Sequence, residues 1–466
     1  MGLGVVRPKP MPPSIAAMRE PVSSGLTRTL SWRLDQLQRL EALLEASGDA
    51  VAAALAQDLG KPPLEAAMEL VAVRQELKLS RSQLRRWMAP RRLPAALYLQ
   101  PAQAQQICEP LGCVLIISPW NYPFQLCLHP LVSALAAGNT AVLKPSEHTP
   151  ATSALIAALI KAHFPDGTVQ VVEGDGAAAA ALLEERFDHI FFTGGERVGR
   201  LVMAAAARHL TPVTLELGGK SPAVVLADAP LGVTARRLIW GKGFNAGQTC
   251  VAPDYLLVEH SAKAPLLEAL QRECTRLYGP EPLQSPDLGC IVNQAQFERL
   301  EALLQGARSR AQIRIGGRSD PTHRRIEPTV VDVQDPDDPL MQQELFGPIL
   351  PLLATASLDE ALRFINQRPK PLALYLFSGS QQAQRQTLQS TSSGTVSFND
   401  VIVQAGDANL PFGGVGASGM GSYHGEAGFR TFSHQRTVVH RHFWGDIPLR
   451  YPPYAGKLQL LKWLLP

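Results

Sequence analysis

Cys250 and Glu216 are the two residues of this sequence whose types and surroundings indicate covalent chemistry. Cys250 ends the segment FNAGQTC, and Glu216 begins the segment ELGGK. Glycines in both segments let a ligand approach the backbone closely. A thiolate is a good nucleophile, and a carboxylate can take a proton from the thiol or later from water. The pair therefore predicts covalent catalysis followed by hydrolysis, whereas either residue alone would be interpreted as a buried thiol or a surface charge.

Three further polar side chains follow apolar runs that are typical of strands. Asn121 follows the run 113–118 and could donate its amide to a developing oxyanion, or form a turn before Pro123. Lys144 and Glu147 close the run 141–143. Ligands bind at the carboxyl ends of parallel strands, so these two side chains could contact ribose hydroxyls. A solvated loop pair is the alternative.

The segment GGERVG, residues 194–199, separates the predicted strand 190–193 from a helical run that continues to Ala207. A glycine turn that leads into a helix offers backbone N–H groups and a positive dipole end to a phosphate. The spacing differs from G-x-G-x-x-G, so a tight turn without a ligand is an equal alternative.

Length and composition limit the class of protein. The chain has 466 residues, of which 45% are hydrophobic and 18% charged, which predicts a globular protein of two or three domains. The net charge of +3 and the absence of a long basic run do not indicate nucleic acid. Six cysteines without a Cys-x-x-Cys pair predict neither a disulfide framework nor a metal site, and a reducing, cytoplasmic setting follows. The proline-rich N-terminus predicts a flexible tail over residues 1–25, and no run is long enough to span a bilayer.

The order of the predicted elements is that of an α/β protein. Residues 30–79 have a helical leucine period, and residues 97–107 could form an extended hairpin. Apolar runs then alternate with helical stretches, first over 113–207 and again over 222–394. Such alternation predicts doubly wound parallel sheets in two domains that meet near residues 216–220.

Taken together, these segments resemble the aldehyde dehydrogenase superfamily over residues 32–454. The motifs that carry the resemblance, in the order and spacing of that family, are PWNYP at 119–123, KPSE at 144–147, FTG at 192–194, ELGGK at 216–220, GQTC at 247–250 and ELFGP at 344–348. A second set is similar to the class 3 and fatty aldehyde dehydrogenase branch, namely HLTPVTL at 209–215, PFGGVG at 411–416, YHG at 423–425, TFSH at 431–434 and RYPP at 450–453.

The resemblance implies roles for the residues at matching positions. Cys250 would attack the aldehyde to form a thiohemiacetal, and Asn121 with the backbone N–H of Cys250 would hold the oxyanion. After hydride transfer to a nicotinamide, Glu216 would activate the water that hydrolyses the thioester. Glu344 is a rival for the role of this base.

The resemblance also implies NAD or NADP as the cofactor. Lys144 and Glu147 would contact the adenine ribose, Glu344 the nicotinamide ribose, and Phe346 the nicotinamide side of the pocket. The remaining expected contacts lie in the glycine turn and are Gly194, Gly195, Val198 and Gly199. Gly195 stands where many relatives have Ser or Asn, which leaves more of the phosphate contact to the backbone.

An aldehyde dehydrogenase-like fold follows from the resemblance, with a Rossmann-type cofactor domain, a catalytic α/β domain and a small oligomerisation element. The expected boundaries are 26–94 and 109–217, with part of 405–430, for the NAD(P)-binding domain and 218–404 for the catalytic domain. Residues 95–108 and 431–447 would form the oligomerisation element of a homodimer, and 448–466 an apolar C-terminal tail. That tail could form an amphipathic helix at the pocket mouth, contact a membrane surface peripherally, or pack against the dimer partner.

The implied function is NAD(P)-dependent oxidation of medium- to long-chain aliphatic, or aromatic, aldehydes to carboxylic acids. One alternative is a CoA-acylating aldehyde dehydrogenase, against which the base Glu216 argues. The other is a non-catalytic relative of the same fold, against which Cys250, Glu216 and Asn121 argue together.

Overall fold

The computed structural model describes residues 14–464. The α-helices in this range are α1 (Ile15–Ser23), α2 (Leu30–Ala46), α3 (Gly48–Leu59), α4 (Pro63–Met88), α5 (Gln125–Ala137), α6 (Pro150–His163), α7 (Gly176–Leu183), α8 (Glu196–Ala207), α9 (Leu231–Gly243), α10 (His260–Tyr278), α11 (Gln294–Ser309), α12 (Pro339–Gln342), α13 (Leu358–Asn366), α14 (Gln381–Ser390), α15 (Gly425–Thr431) and α16 (Lys457–Leu464). The strands are β1 (Arg91–Leu93), β2 (Ala102–Pro110), β3 (Cys113–Ile117), β4 (Thr140–Lys144), β5 (Val169–Val171), β6 (His189–Thr193), β7 (Val213–Glu216), β8 (Pro222–Val225), β9 (Tyr255–Glu259), β10 (Ile313–Ile315), β11 (Ser319–Asp320), β12 (Arg325–Ile326), β13 (Thr329–Val333), β14 (Ile349–Thr355), β15 (Ala373–Phe377), β16 (Thr395–Phe398), β17 (Gly419–Met420) and β18 (Ser433–Arg441).

The first sheet has the strand order β17-β7-β6-β3-β4-β5. Its strands are parallel except for β17, which pairs antiparallel with β7. Apolar side chains cover both faces, as expected for parallel strands buried between helices. Consequently the carboxyl ends of β3, β4, β6 and β7 lie along one edge of the sheet.

The second sheet has the order β10-β13-β14-β9-β8-β15-β16, and only the edge pair β10–β13 is antiparallel. The predicted strands at 223–226 and 255–258 are observed as β8 and β9, which are neighbours at the centre of this sheet. Both sheets are thus wound as the alternating pattern predicts, and the α/β fold class is confirmed.

A small third sheet joins distant parts of the chain. Its order is β1-β2-β18, with β2 paired antiparallel to β18 over nine positions from Ser433–Pro110 to Arg441–Ala102. The prediction of a hairpin within residues 97–107 is wrong in its bounds. Strand β2 does pair with the strand that precedes it, but that strand is β1, which ends at Leu93, before residue 97.

The prediction of a flexible tail over residues 1–25 is wrong for helix α1. Ser14 caps this helix by accepting a hydrogen bond from the N–H of Ala17. Ile15 and Met18 are buried against the first sheet, which gives the segment an apolar anchor that the proline-rich composition does not suggest. Residues 1–13 lie outside the described range.

Every helix within residues 14–464 is too short or too polar to cross a bilayer.

Candidate active site

Cys250 lies on a loop whose backbone conformation is unusual. The preceding segment Phe244–Gly247 is a short 3-10 turn in which Asn245 and Ala246 both have φ of 52°. Gly247 has φ of 73°, and a Cβ there would collide with the backbone of Gly347. Glycine is therefore required at position 247 for the loop of Cys250 to pack on the loop that follows Glu344.

The surroundings of the Cys250 thiol favour its protonated form. Burial, together with the negative charges of Glu344 and Glu216, raises the pKa of the thiol to about 12. Backbone N–H groups of Cys250 and Val251 partly oppose this increase. A base must therefore take the thiol proton before the sulfur can attack.

Glu216 ends strand β7 and carries a buried carboxylate. Neither of its carboxylate oxygens has a hydrogen-bond partner among the described residues. Burial raises the pKa of this carboxyl well above its ordinary value. A carboxylate without protein partners is available to a ligand or a water molecule, and a raised pKa makes it a better base.

Asn121 lies on the loop after β3 and is held on its amide and carbonyl sides. Its Nδ2 donates to the carbonyl oxygen of Gln248 at 3.0 Å, which ties the loop of Asn121 to the loop of Cys250. The backbone carbonyl oxygen of Asn121 accepts hydrogen bonds from Lys61 Nζ at 2.8 Å and from Asn245 Nδ2 at 2.9 Å. An amide has two N–H groups, so one N–H of Asn121 remains for a ligand.

Glu344 and Phe346 lie on the other side of the Cys250 loop. Burial, and then the charge of Asp254, raises the pKa of Glu344 to about 8, against hydrogen bonding from Gly219 and the charge of Lys220. The Phe346 ring meets the indole of Trp120 edge-on, with centroids 5.1 Å apart. Phe346 has φ of 50°, a conformation that non-glycine residues rarely adopt.

Lys144 and Glu147 lie at the carboxyl end of β4, as predicted. Lys144 is buried, and its Nζ donates to the Pro145 carbonyl at 2.8 Å and approaches Glu147 Oε2 at 3.4 Å. Glu147 is exposed. The two side chains are adjacent to each other, but they line neither of the cavities described below.

The glycine turn leads from β6 into α8, as predicted. A Cβ on Gly194 would collide with the Phe192 ring, and one on Gly199 would meet Leu217 at 2.8 Å. Those two glycines allow the close approach of strand, turn and helix. Gly195, at the N-terminus of α8, has open space around it, and no side chain caps the helix there. The side chain of Val198, in the first turn, is 38% exposed. The first N–H groups of α8 are therefore available to an anion.

A cavity of about 760 Å³ leads to Cys250. Its walls are mainly apolar and aromatic and include Met68, Val71, Leu126, Trp240, Phe412 and Tyr423. Lys78 and Asp407 are charged residues of its lining that lie exposed. The cavity can therefore take an apolar ligand with its reacting group at the sulfur.

A second cavity of about 1070 Å³ is lined by Gly218, Gly219 and Glu344, with Arg197, Lys220 and Lys370. The lining has four basic residues, since Arg368 joins these three, and three acidic ones, Glu196, Asp337 and Glu344. The net basic charge beside glycine backbone suits a phosphate-bearing ligand, and the uncapped start of α8 contributes Glu196 and Arg197 to the same cavity. These residues fit a dinucleotide. The structure thus brings Cys250, Glu216, Asn121 and Glu344 together, and keeps Lys144 and Glu147 apart at the neighbouring strand end.

Sequence reasoning missed the buried charges behind the site. Lys61 and Glu69 form a fully buried ion pair next to Asn121, and Lys220 pairs with Asp254 at 2.5 Å behind Glu344. In the sequence, Lys61 and Glu69 are a Lys before the start of α4 and a Glu within it, eight positions apart. Nothing local distinguishes them from solvated surface charges.

Comparison with known proteins agrees with this geometry. The family model described as "Aldehyde dehydrogenase family" matches residues 14–438. Human aldehyde dehydrogenase family 3 member B1 is 49% identical over 452 residues, which cover 96% of each chain. The 4,4'-diaponeurosporen-aldehyde dehydrogenase of Staphylococcus aureus is 44% identical over 437 residues, covering 94% of this chain and 95% of that protein. The solved structure titled "Substrate bound state of Staphylococcus Aureus AldH" superposes with a TM-score of 0.93 at 42% identity, over 96% of this chain and 98% of the other.

Proposed function

The chain belongs to the aldehyde dehydrogenase family, in its family 3 branch. We propose that it oxidises medium- to long-chain or aromatic aldehydes, and that the thiohemiacetal and thioester intermediates form on Cys250. The protein is an aldehyde dehydrogenase, and its cofactor is NAD or NADP. The observation that carries the proposal is the position of Cys250 on an apolar cavity, with the partnerless carboxylate of Glu216 acting on its pKa.

The covalent steps follow from the charges around the sulfur. Because the pKa of the thiol is raised, Glu216 takes its proton as the sulfur attacks the aldehyde carbon. The free N–H of Asn121 and the backbone N–H of Cys250 stabilise the oxyanion that forms. Bound NAD or NADP supplies the nicotinamide ring that accepts hydride from the thiohemiacetal carbon.

Glu216 then gives up the thiol proton to bulk water and, ionised again, is the proposed base for hydrolysis of the thioester. Among residues 14–464 its carboxylate has no hydrogen-bond partner to compete with water, and its raised pKa strengthens it as a base. Glu344 is the rival candidate, since its pKa is raised to about 8 and its charge also acts on Cys250. Glu344 already accepts a hydrogen bond from the Gly219 backbone and lies near Lys220 and Lys242, so it is less free than Glu216 to hold a water molecule and suits a contact to a ribose hydroxyl better.

The residues that would hold the cofactor lie at the carboxyl edge of the first sheet and on the loop before β14 of the second sheet. Lys144 and Glu147 would contact the adenine ribose, and Glu344 with Phe346 the nicotinamide half. The phosphates would take the free N–H groups at the start of α8, which begins after Gly194 and Gly195. Val198 and Gly199 complete this proposed set. The side chain of Val198 is exposed at the start of α8, and Gly199 lets the helix backbone pack closely against Leu217.

The apolar cavity supports the proposed class of aldehyde. Each buried methylene contributes about 0.8 kcal/mol, or roughly fourfold in affinity, so a chain that extends along the cavity binds more tightly than a short one. The relative from Staphylococcus aureus is named after the aldehyde 4,4'-diaponeurosporen-aldehyde.

The proposed division into domains is supported by the separation of the six-stranded, seven-stranded and three-stranded sheets. Residues 26–94 and 109–217 would bind the cofactor, and 218–404 would carry the nucleophile. The sheet β1-β2-β18 has an exposed edge strand in β18, which supports pairing with a second copy in a homodimer. We retain a cytoplasmic location, with peripheral membrane contact through residues 448–466 as the alternative.

A chain-length series tests the proposed function. Saturated aldehydes from C2 to C16 are assayed for NADH and NADPH formation, and kcat/KM is expected to rise with length up to a plateau. Formation of the acid without added CoA is measured in the same reactions. A flat series would contradict the substrate class, and a requirement for CoA would contradict hydrolysis.

A further inference from the structure

Lys61 is a cation that is completely enclosed next to the active-site loops. It follows helix α3, and its side chain and that of its partner Glu69 are both 0% exposed. A buried ion pair is costly to form because both charges lose their hydration. It contributes little more to the stability of the fold than an apolar pair of the same volume would. What distinguishes this pair is the set of groups to which it is hydrogen-bonded.

Lys61 contacts the loop that carries Asn121 in two ways. Its Nζ donates to the carbonyl oxygen of Asn121 at 2.8 Å, and it lies 4.0 Å from the centroid of the Tyr122 ring. The Tyr122 hydroxyl is hydrogen-bonded to Thr249 Oγ1 at 2.6 Å, next to Cys250. One ammonium group thus fixes the backbone of Asn121 and the ring that contacts the nucleophile loop.

Glu69 extends the same restraint to the next helix. Its second carboxylate oxygen accepts hydrogen bonds from the backbone N–H groups of Phe124 at 3.1 Å and Gln125 at 2.9 Å, where helix α5 begins. The loop from Asn121 to Gln125 is therefore held at its start by Lys61 and at its end by Glu69.

The neighbouring Glu65 holds the opposite loop. Its carboxylate accepts the backbone N–H of Asn245 at 2.9 Å, and Asn245 Nδ2 reaches both the Asn121 carbonyl at 2.9 Å and the Gln248 carbonyl at 3.1 Å. Asn121 Nδ2 donates to that same Gln248 carbonyl. The orientation of the Asn121 amide is therefore set by a network that begins at the start of α4.

We propose that Lys61 is a positioning residue for the oxyanion step, which it serves by holding the backbone of Asn121, with Glu69 as its counter-ion. This inference rests on the oxyanion role proposed for Asn121. Lys61 itself does not line the cavity of Cys250, although its counter-ion Glu69 does. Its effect must appear in kcat, because a reacting group displaced by about 1 Å can slow a reaction roughly 100-fold.

The test is a double-mutant cycle of Lys61→Met and Asn121→Ala, with rates expressed per active site from a titration of cofactor binding. Lys61→Met is expected to lower kcat roughly 100-fold and to change cofactor affinity by less than about twofold. In the Asn121→Ala background, Lys61→Met is expected to have less than about a twofold further effect, since its target is already gone. The proposal would be overturned if the losses in kcat caused by Lys61→Met and Asn121→Ala multiply in the double variant. It would also be overturned if Lys61→Met alone leaves kcat per active site unchanged.

Three further variants separate positioning from folding. Lys61→Arg is expected to restore part of kcat, because it keeps the charge and a donor. Lys61→Met with Glu69→Gln leaves no unpaired charge, so it provides a folded version of the test if Lys61→Met alone is unstable. Lys263→Met breaks the ion pair with Asp332, 2.6 Å long, on the remote helix α10 and is expected to leave kcat unchanged.

The outcome for Asn121→Ala alone separates this inference from the proposed function. If Asn121→Ala lowers kcat and Lys61→Met does not, only the role of Lys61 is wrong. If Asn121→Ala itself leaves kcat unchanged, the oxyanion role of Asn121 is wrong.

Discussion

The carboxylate of Glu344 lies against the α-carbon of Gly218, so closely that a Cβ at position 218 would collide with both carboxylate oxygens. Gly218 is the third residue of the segment that begins with Glu216. The glycine therefore allows two carboxylates from distant parts of the chain, buried Glu216 and half-buried Glu344, to approach the same sulfur.

Gly218→Ala is expected to displace Glu344 and to raise the KM for the cofactor about tenfold, since Glu344 is proposed to contact the nicotinamide ribose. Initial rates at varied NAD and NADP measure this change. Gly232→Ala is the matched control, because a Cβ there meets nothing within 4 Å. Equal KM values for the two variants would show that Glu344 has no such contact.

Cys250→Ala is expected to abolish aldehyde oxidation, with a loss of at least about 10⁴-fold, because Cys250 is the cysteine that lines the apolar cavity and carries the proposed thioester. Cofactor binding, measured by quenching of protein fluorescence, is expected to persist. Cys108→Ala, on the half-buried strand β2, should keep full activity. Substantial turnover by Cys250→Ala would mean that the nucleophile is misassigned.

These two predictions illustrate what the sequence can and cannot reveal. The motif around Cys250 and the strand-turn-helix at 190–207 could be located because each is a local pattern. The contact of Glu344 with Gly218 joins residues more than a hundred positions apart, and local patterns carry no information about such pairs. Lys61 was missed for the same reason, since its burial depends on the loops of Asn121 and Tyr122. Helix α1 was missed because a proline-rich flank concealed Ile15 and Met18.

The thiol of Cys250 should react with iodoacetamide increasingly as pH rises from 7 to 10, without a plateau, because its pKa is raised to about 12. Glu344→Gln removes one of the negative charges that raise this pKa, so the variant should react about threefold faster at pH 9, which corresponds to half a pKa unit. At pH 6 the difference should vanish, since Glu344, with a pKa of about 8, is then protonated and neutral in the wild type. Equal rates at pH 9 would contradict the electrostatic coupling.

Glu216→Gln is expected to slow thioester hydrolysis by about 10²-fold or more, and to slow the burst of NADH by a smaller factor, since Glu216 is also the proposed acceptor of the thiol proton. Only ionised Glu216 can act as a base, and its pKa is raised, so wild-type hydrolysis should increase as pH rises through that pKa. The variant should lose this increase. If instead Glu344→Gln loses it and Glu216→Gln keeps it, Glu344 is the base.

Ala72→Phe is expected to shift the chain-length preference toward short aldehydes. Ala72 lies on α4 and lines the cavity that leads to Cys250, so a ring at this position occupies space along the proposed path of the alkyl chain. Excluding two methylenes from the cavity costs roughly 1.6 kcal/mol, and kcat/KM for dodecanal should therefore fall about tenfold more than for propanal.

The matched control is Ala67→Phe, on the same helix but exposed and outside the cavity lining. Because it adds the same ring to the same helix, it reports any general effect of the substitution on folding or activity. Equal losses for dodecanal and propanal in Ala72→Phe would mean that the alkyl chain does not follow this wall. A loss specific to dodecanal in Ala72→Phe alone assigns the apolar cavity to the substrate, since the short aldehyde reaches the same sulfur without contacting Ala72.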